Sequence, residues 1–517
     1  MAQIANRKGA PPVDELEGLQ REWRLSRRDL LKAGAVTTLA AGTGTLSGCF
    51  GKKGGDATTD SILRGSPRVV IVGAGLAGLN AAHTLKKNGL IAQVFDASSR
   101  AGGRVYSRKG LLAPDLTTEL GGEFIDSNHE DLLSLVGEFN LSLLDMESED
   151  EKIFAPVFYV DGVSYSTAEV IEAFRPIASL LEMDRGVLPA TISYAEPGEA
   201  KALDRMSLST YLGKLGVTGW LRKLIETAYV TEFGLEAAEQ SALNLLTMIG
   251  TDTSGANWEV FGESDERYKI VGGNDQIVSA LAAALGGQIS TNQTLESIRS
   301  KGDGYSLVFR TQNGTAKMVA ADVVILALPF TKLREVEVVI DMPAIKKRAI
   351  AELGYGMNSK VFLGFVDRPW RKAGYSGSVY TDQSYQLAWD NGRAQGSASG
   401  GLTCYTGGKN AVAIGKAEIN ALAQKYLFEL DLVFSGVQQS FNGKTDRFHW
   451  PTYPTMKGSY AAYRVGQWTG IRGAEAEPVG NVYFAGEHCS MDFQGFMNGA
   501  AETGRVAAQA ILERIRK

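Results

Sequence analysis

Residues 68–104 read RVVIVGAGLAGLNAAHTLKKNGLIAQVFDASSRAGGR, and this run decides the fold. Val69 to Val72 form a continuous apolar segment, the pattern of a strand buried in a parallel sheet. Gly73, Gly75 and Gly78 follow as GxGxxG. In that motif the first glycine permits a tight turn, the second lets backbone approach a pyrophosphate, and the third lets helix and strand pack closely. Leu76, Leu79, Ala82 and Leu85 give the next helix one apolar face, and Asn88-Gly89 ends it. Its first turn, including Ala77, presents unpaired N–H groups and the positive end of the helix dipole to phosphate. A second strand, LIAQVFDA, closes on Asp96, about where an acid meets ribose hydroxyls. Asp96 as a solvated strand-end carboxylate is the plainer alternative.

The sequence continues SSRAGGR. Gly102 and Gly103 allow another close backbone approach; Arg100 and Arg104 are basic, and Arg104 suits a diphosphate. A second basic glycine turn fits a cofactor lying extended through the protein, which favours FAD over NAD. The chain has 517 residues, too many for one core, so two packed units are expected. Apolar content of 44% and charged content of 21% are ordinary for a globular protein. Net charge is -5 with no long basic run, which argues against nucleic acid as a partner. Three cysteines without a CxxC, and four scattered histidines, make a metal site improbable. Cys404 and Cys489 are read as unpaired thiols, with a disulfide as the alternative in an oxidising compartment.

From Arg68 onward the chain resembles the flavin-containing amine oxidases: monoamine, polyamine and L-amino-acid oxidases. Five separated blocks carry the resemblance. The opening run is the first, and ELGGEFID (119–126) the second, with Gly121 and Gly122 close to the flavin ring. GGNDQIVSALA (272–282) leads to a strand near Leu295, which implies a backbone contact at the adenine end; ADVVILALP (321–329) follows as another buried strand. LGYGMNSKVFLGF (353–365) places Lys360 at the lysine that reaches flavin N5 through a water. Burial is expected to push such a lysine toward its neutral form. NVYFAGEHCSMDFQGFMNGAAETGRVAAQAIL (481–512) supplies Gly486 and Glu487 near the ribityl–phosphate region, and a helix from Met497 facing the flavin pyrimidine.

The resemblance implies an α/β fold: a Rossmann-like FAD domain of glutathione-reductase type with an inserted α+β substrate domain. The FAD domain is expected to comprise 66–135, 265–335 and 450–517, and the substrate domain 136–264 and 336–449. SLSTYLGKLGV and WLRKLIETAYVTEFG read as helices of the latter. Tyr460 and Phe496 match the two aromatics that orient a neutral amine. Ser459 stands where covalent relatives have cysteine, so FAD is expected to be non-covalent. Phe124 replaces the carboxylate-clamping arginine of some amino-acid oxidases, and Asp126 matches an acidic residue of some polyamine oxidases. The expected reaction is oxidative deamination with O2 as acceptor. An L-amino-acid oxidase binding carboxylate through Arg447 or Arg464, and a desaturase or dehydrogenase using a quinone, stay open. So does Asp126 as a turn residue.

Upstream, SRRDLLKAG (26–34) precedes about fourteen small or apolar residues ending in LSGC, with the cysteine at position 49. This is too short for a membrane span and the right size for a signal peptide. Arg27-Arg28 marks twin-arginine export of folded protein, and Leu46–Cys49 resembles a lipidation motif. The expectation is a signal over 1–48, a tether over 49–65, a lipidated Cys49 holding the protein at a membrane outside the cytoplasm, and scope for a homodimer. Replacing Arg27 and Arg28 by lysine is expected to retain the protein in the cytoplasm, and Cys49→Ala to release it from the membrane fraction. Fractionation and immunoblotting check both.

Overall fold

The computed structural model describes residues 66–148, 154–255 and 258–516. The twin-arginine pair and Cys49 lie outside the described residues.

The opening run forms the middle of a five-stranded sheet with the order Val482–Phe484, Val323–Leu326, Val69–Val72, Ala92–Phe95, Ile289–Ser290. All its pairings are parallel. Alternate residues feed two cores. Val69 and Ile71 pack with helices Leu76–Lys87, Asp275–Leu285 and Met497–Arg516. Val70 and Val72 point the other way, into a core shared with the sheet of Gln293–Lys301, Gly304–Thr311, Ala316–Ala321 and Glu337–Val339. Two-sided burial explains why these strands are apolar runs instead of alternating ones.

The turn after the first strand depends on missing side chains. Gly73 has φ +110°, a backbone region open to glycine. A Cβ on Gly78 would lie 1.9 Å from the Gly73 carbonyl oxygen. The C-terminal helix then closes over the first: a Cβ on Gly504 would lie 2.2 Å from the Ala77 carbonyl oxygen, and Asn80 donates to the Ala501 carbonyl at 2.7 Å.

A seven-stranded sheet carries the other half of the molecule, in the order Phe441–His449, Asn358–Phe365, Gly400–Gly407, Leu387–Asp390, Tyr375–Thr381, Ala155–Val160, Val163–Tyr165. Every residue of Asn358–Phe365 is buried, as the VFLGF run predicted. The helical periods fall on helices Leu208–Lys214 and Gly219–Phe233. With Thr167–Gly186, whose Ser166 and Glu169 form a capping box, they enclose a core of their own. Among the described residues no helix is long and apolar enough to cross a membrane.

Cys404 and Cys489 are both free and buried, in different cores. The unpaired reading stands and the disulfide alternative does not.

Gly78→Ala is expected to lower stability by about 3 kcal/mol, because backbone must shift to admit one methyl. Urea denaturation checks this.

Candidate active site

A cavity of about 640 Å³ begins at the glycine turn and ends between the two large sheets. Gly73, Gly75, Leu76 and Ala77 line its start. A Cβ on Gly75 would meet only the Gly103 Cα, 3.9 Å away, so this position is bare to keep the space open. Gly75 is also the N-cap of the first helix, with no side-chain cap, leaving first-turn N–H groups available to an anion. Asp96 lines the same end, and its carboxylate accepts from the backbone N–H of Ala74 at 2.6 Å and of Ser98 at 2.7 Å. Burial pushes the Asp96 carboxyl up, against these bonds. With a further bond from the Ser98 side chain, about one acceptor site remains on its oxygens for a ribose. Leu295 lines the wall opposite.

The second glycine turn meets the first: a Cβ on Gly103 would lie 3.1 Å from the Gly75 Cα. Arg100 has a different task from the one expected. It does not line the cavity; it donates to the carbonyls of Ala101 and Val105, both at 3.2 Å, and stacks 3.9 Å over Tyr106. It holds the loop, whereas Arg104 reaches the cavity. Arg104 is not a free charge either. Its Nη1 donates to Glu487 Oε1 at 2.6 Å and to the Ser459 carbonyl at 2.9 Å. Glu487 is buried and also accepts from the Gly495 N–H at 2.9 Å. Ser459 and Gly486 line this middle stretch.

Gly121 and Gly122 come next. A Cβ on Gly121 would lie 1.8 Å from the Arg104 carbonyl oxygen, and one on Gly122 would lie 2.8 Å from Met497 Sδ. Beyond them stands Lys360. Its ammonium donates to the Glu119 carbonyl at 3.1 Å, the Gly121 carbonyl at 2.9 Å and Glu123 Oε2 at 2.8 Å. Three acceptors, one a carboxylate, satisfy all three ammonium donors. The sequence pointed to the burial of this lysine but not to its buried counter-ion, which offsets the cost of desolvation. Burial pushes Glu123 up, but the charges of Lys360 and Lys269, with bonds from Lys360 and Trp389, outweigh it and hold the carboxyl below its usual range.

The far end is an aromatic chamber lined by Phe124, Phe233, Trp389, Tyr405, Tyr460 and Phe496. Tyr460 and Phe496 both line it. Tyr460 bonds the Tyr405 hydroxyl at 3.0 Å and donates to the Glu232 carbonyl, while the Phe496 ring packs against His129 at 5.3 Å. Three carboxyls join the chamber: Asp126, Glu232 and Glu266. Asp126 accepts from Ser264 Oγ at 2.8 Å and the Glu266 N–H at 3.1 Å; burial raises it to about 6. Burial raises Glu232 to about 7, helped by Asp126, and pushes Glu266 well up. His129, beside Asp126, is pushed down to about 4 by burial and is no cation there at neutral pH. Neither Glu232 nor Glu266 has an ion-pair partner among the described residues.

Arg447 and Arg464 are elsewhere: Arg447 donates to the Ile414 and Ala417 carbonyls, and Arg464 pairs with Glu239 at 3.2 Å. His488 lies behind the lining, its ring 4.5 Å from Phe330. Sequence reasoning missed Glu123, Glu232, Glu266, Trp389 and Tyr405. Two signals existed. Glu232 sits in the last turn of helix Gly219–Phe233, where an acid opposes the dipole. Glu266 adopts φ +45°, rare for a residue with a Cβ.

The glycine cradle, the uncapped helix start and the strand-end acid fit a dinucleotide extended along the cavity. That defines an oxidoreductase of the dinucleotide-binding α/β class. The chain belongs to the flavin-containing amine oxidoreductases: the model of that family matches residues 76–512. It is 24% identical over 462 residues to a flavin-containing amine oxidase of Danio rerio, covering 86% of this chain and 85% of that protein. It is 24% identical over 466 residues to an L-amino acid dehydrogenase of Synechocystis sp., covering 86% and 94%. The cyclohexylamine oxidase of Brevibacterium oxydans has a similar fold, with a TM-score of 0.74 at 21% identity, over 88% of this chain and 100% of that one. The family implies flavin as the cofactor.

Glu232 is held above its ordinary 4.5 in the folded state, so stability falls as pH rises from there to about 7. Glu232→Gln is expected to raise stability by about 3 kcal/mol at about pH 8 and to leave it nearly unchanged at about pH 4.5. Thermal denaturation at the two pH values checks this.

Proposed function

We propose that this protein is an FAD-dependent oxidase of primary amines or polyamines. The observation that carries this reading is the chamber's acidity: among the described residues Glu232 and Glu266 have no ion-pair partner, Asp126 has only His129 beside it, and the arginine that lines the cavity, Arg104, is already paired with Glu487. An amino-acid substrate would place its own carboxylate among them, which is why the L-amino-acid reading ranks second despite relatives of that name. Overall, RCH2NH2 + O2 + H2O gives RCHO + NH3 + H2O2. FAD, held non-covalently because Ser459 offers no thiol, supplies the two-electron acceptor.

The protein's own groups prepare the substrate. Asp126 and Glu232 draw in a cation and concentrate it, while Glu266, pushed well up by burial, offers a neutral carboxyl beside them. Asp126 at about 6 and Glu232 at about 7 are matched to take the proton that an ammonium must lose before its α-carbon can be oxidised. Tyr460 and Phe496, with Trp389 and Tyr405, exclude water and orient the neutral amine. Lys360 presents positive charge where negative charge develops on the flavin.

The discontinuous division into an FAD part and a substrate part, twin-arginine export, lipid attachment through Cys49 and homodimer formation belong to the same reading. Loading the cofactor before export fits a route that carries folded proteins.

A peroxide assay across monoamines, diamines, polyamines and L-amino acids is the test. Turnover is expected for cationic amines and not for amino acids, and KM for a diamine is expected to fall as pH rises through about 6 to 7, where the chamber carboxyls ionise. Lys360→Met should lower kcat by about a hundredfold with FAD still bound. Preference for an L-amino acid, or full activity without Lys360, would contradict the reading.

A further inference from the structure

Behind Lys360 lies a second buried ammonium. Lys269 is 3% exposed and does not line the cavity. Its Nζ donates to Glu123 Oε1 at 3.2 Å and to the Asn391 carbonyl at 3.0 Å, and sits 5.5 Å from the Phe124 ring. Glu123, itself 6% exposed, therefore joins two lysines. Oε1 takes Lys269 and, at 2.9 Å, Trp389 Nε1; Oε2 takes Lys360 at 2.8 Å. Lys360 and Trp389 face the cavity, and Lys269 faces neither substrate nor solvent.

One carboxylate would close a neutral pair with Lys360 alone. Two ammonium groups sharing it leave a net positive charge in a mostly apolar enclosure. Burying a second ammonium carries its own desolvation cost, which packing does not require. Its charge bears on Glu123 by direct contact and on Glu119 at longer range, and Glu123 is the group it shares with Lys360. Glu119, Tyr405 and Glu266 are further titratable groups near the cluster; burial pushes Tyr405 and Glu266 well up, so both stay neutral near pH 6, and Glu119 lies closest behind it. Glu119 accepts from Ser107 Oγ at 2.6 Å and the Asn274 N–H at 2.9 Å, and burial pushes its carboxyl up to about 7.

We propose that Lys269 sets the charge that Lys360 presents to the flavin, acting through the shared carboxylate of Glu123. Lys269 is a positioning residue: it touches neither cofactor nor substrate. The proposal rests on the flavin reading above but not on which amine is oxidised.

Sulfite tests it, because sulfite adds reversibly to oxidised flavin, bleaches it, and leaves negative charge on the ring. Titrations of FAD-loaded protein are made at one pH near 6, so that Glu119 stays in one state. Lys269→Met is expected to weaken sulfite binding on the order of tenfold, the effect of one unit charge removed at close range in an intermediate dielectric. Lys269→Arg should remain within about threefold of wild type. Glu123→Gln should not weaken binding. The double variant Lys269→Met/Glu123→Gln removes one charge of each sign and should return to within about threefold of wild type. A purely structural role would weaken every variant, the double one most. Binding within about twofold of wild type in Lys269→Met, or a double variant weaker than Lys269→Met, overturns the proposal. If Lys269→Met fails to hold FAD, Glu123→Gln and the double variant decide: weaker binding in either overturns it. A wild-type protein that takes up no FAD overturns the flavin reading itself, which the amine panel would register separately.

Discussion

Backbone must touch backbone where the first strand turns into the first helix. Gly78 lies against the Gly73 carbonyl, and Gly75 faces Gly103 across the mouth of the cavity. A methyl on Gly78 or Gly103 meets main chain, which cannot rotate away as a side chain can, while one on Gly75 would intrude on the cavity. Everything downstream is built around the space so defined. The sheet that carries the turn is completed by strands from residues 323–326 and 482–484, and the helix that covers it is the last in the chain. The cavity therefore exists only once segments separated by some four hundred residues have assembled.

Along that cavity, charge is sorted. Cations at the cofactor end are paired: Arg104 with Glu487, and Lys360 with Glu123. A buried pair adds little stability by itself, but breaking one strands a charge and costs about 3–5 kcal/mol. Such pairs fix position more than they stabilise. The substrate end is the reverse. Glu232 and Glu266 have no ion-pair partner among the described residues, and burial holds both above the ordinary carboxylate range. Unpaired acids in a confined aromatic space destabilise the empty protein and favour a cationic occupant, a stability–function trade expected of binding sites.

The glycine-turn end of the cavity was the more legible in sequence, because its pattern is local. A glycine turn, an apolar strand and a strand-end acid lie within one continuous run. Lys360 could be placed by its buried strand, but not its partner: Glu123 comes from a loop 237 residues away. Arg100 misled for the opposite reason. An arginine beside glycines suggests phosphate, yet here it donates to the carbonyls of its own turn. The chamber was least legible. Glu232, Glu266, Trp389 and Tyr405 come from a helix end, a loop and two strands, and no spacing links them. What marked Glu232 and Glu266 was local misfit, an acid at the wrong end of a helix and a left-handed backbone, and such misfit gathers at functional sites.

The central claim is that the flavin ring lies in the cavity beside the Lys360 ammonium, with its dinucleotide tail on the glycine turn. A crystal structure of the FAD-loaded protein tests it most directly. The account predicts the pyrophosphate at the start of helix Leu76–Lys87 and flavin N5 within one bridging water of Lys360 Nζ. A flavin bound elsewhere, or one whose N5 edge is turned away from Lys360, would contradict it.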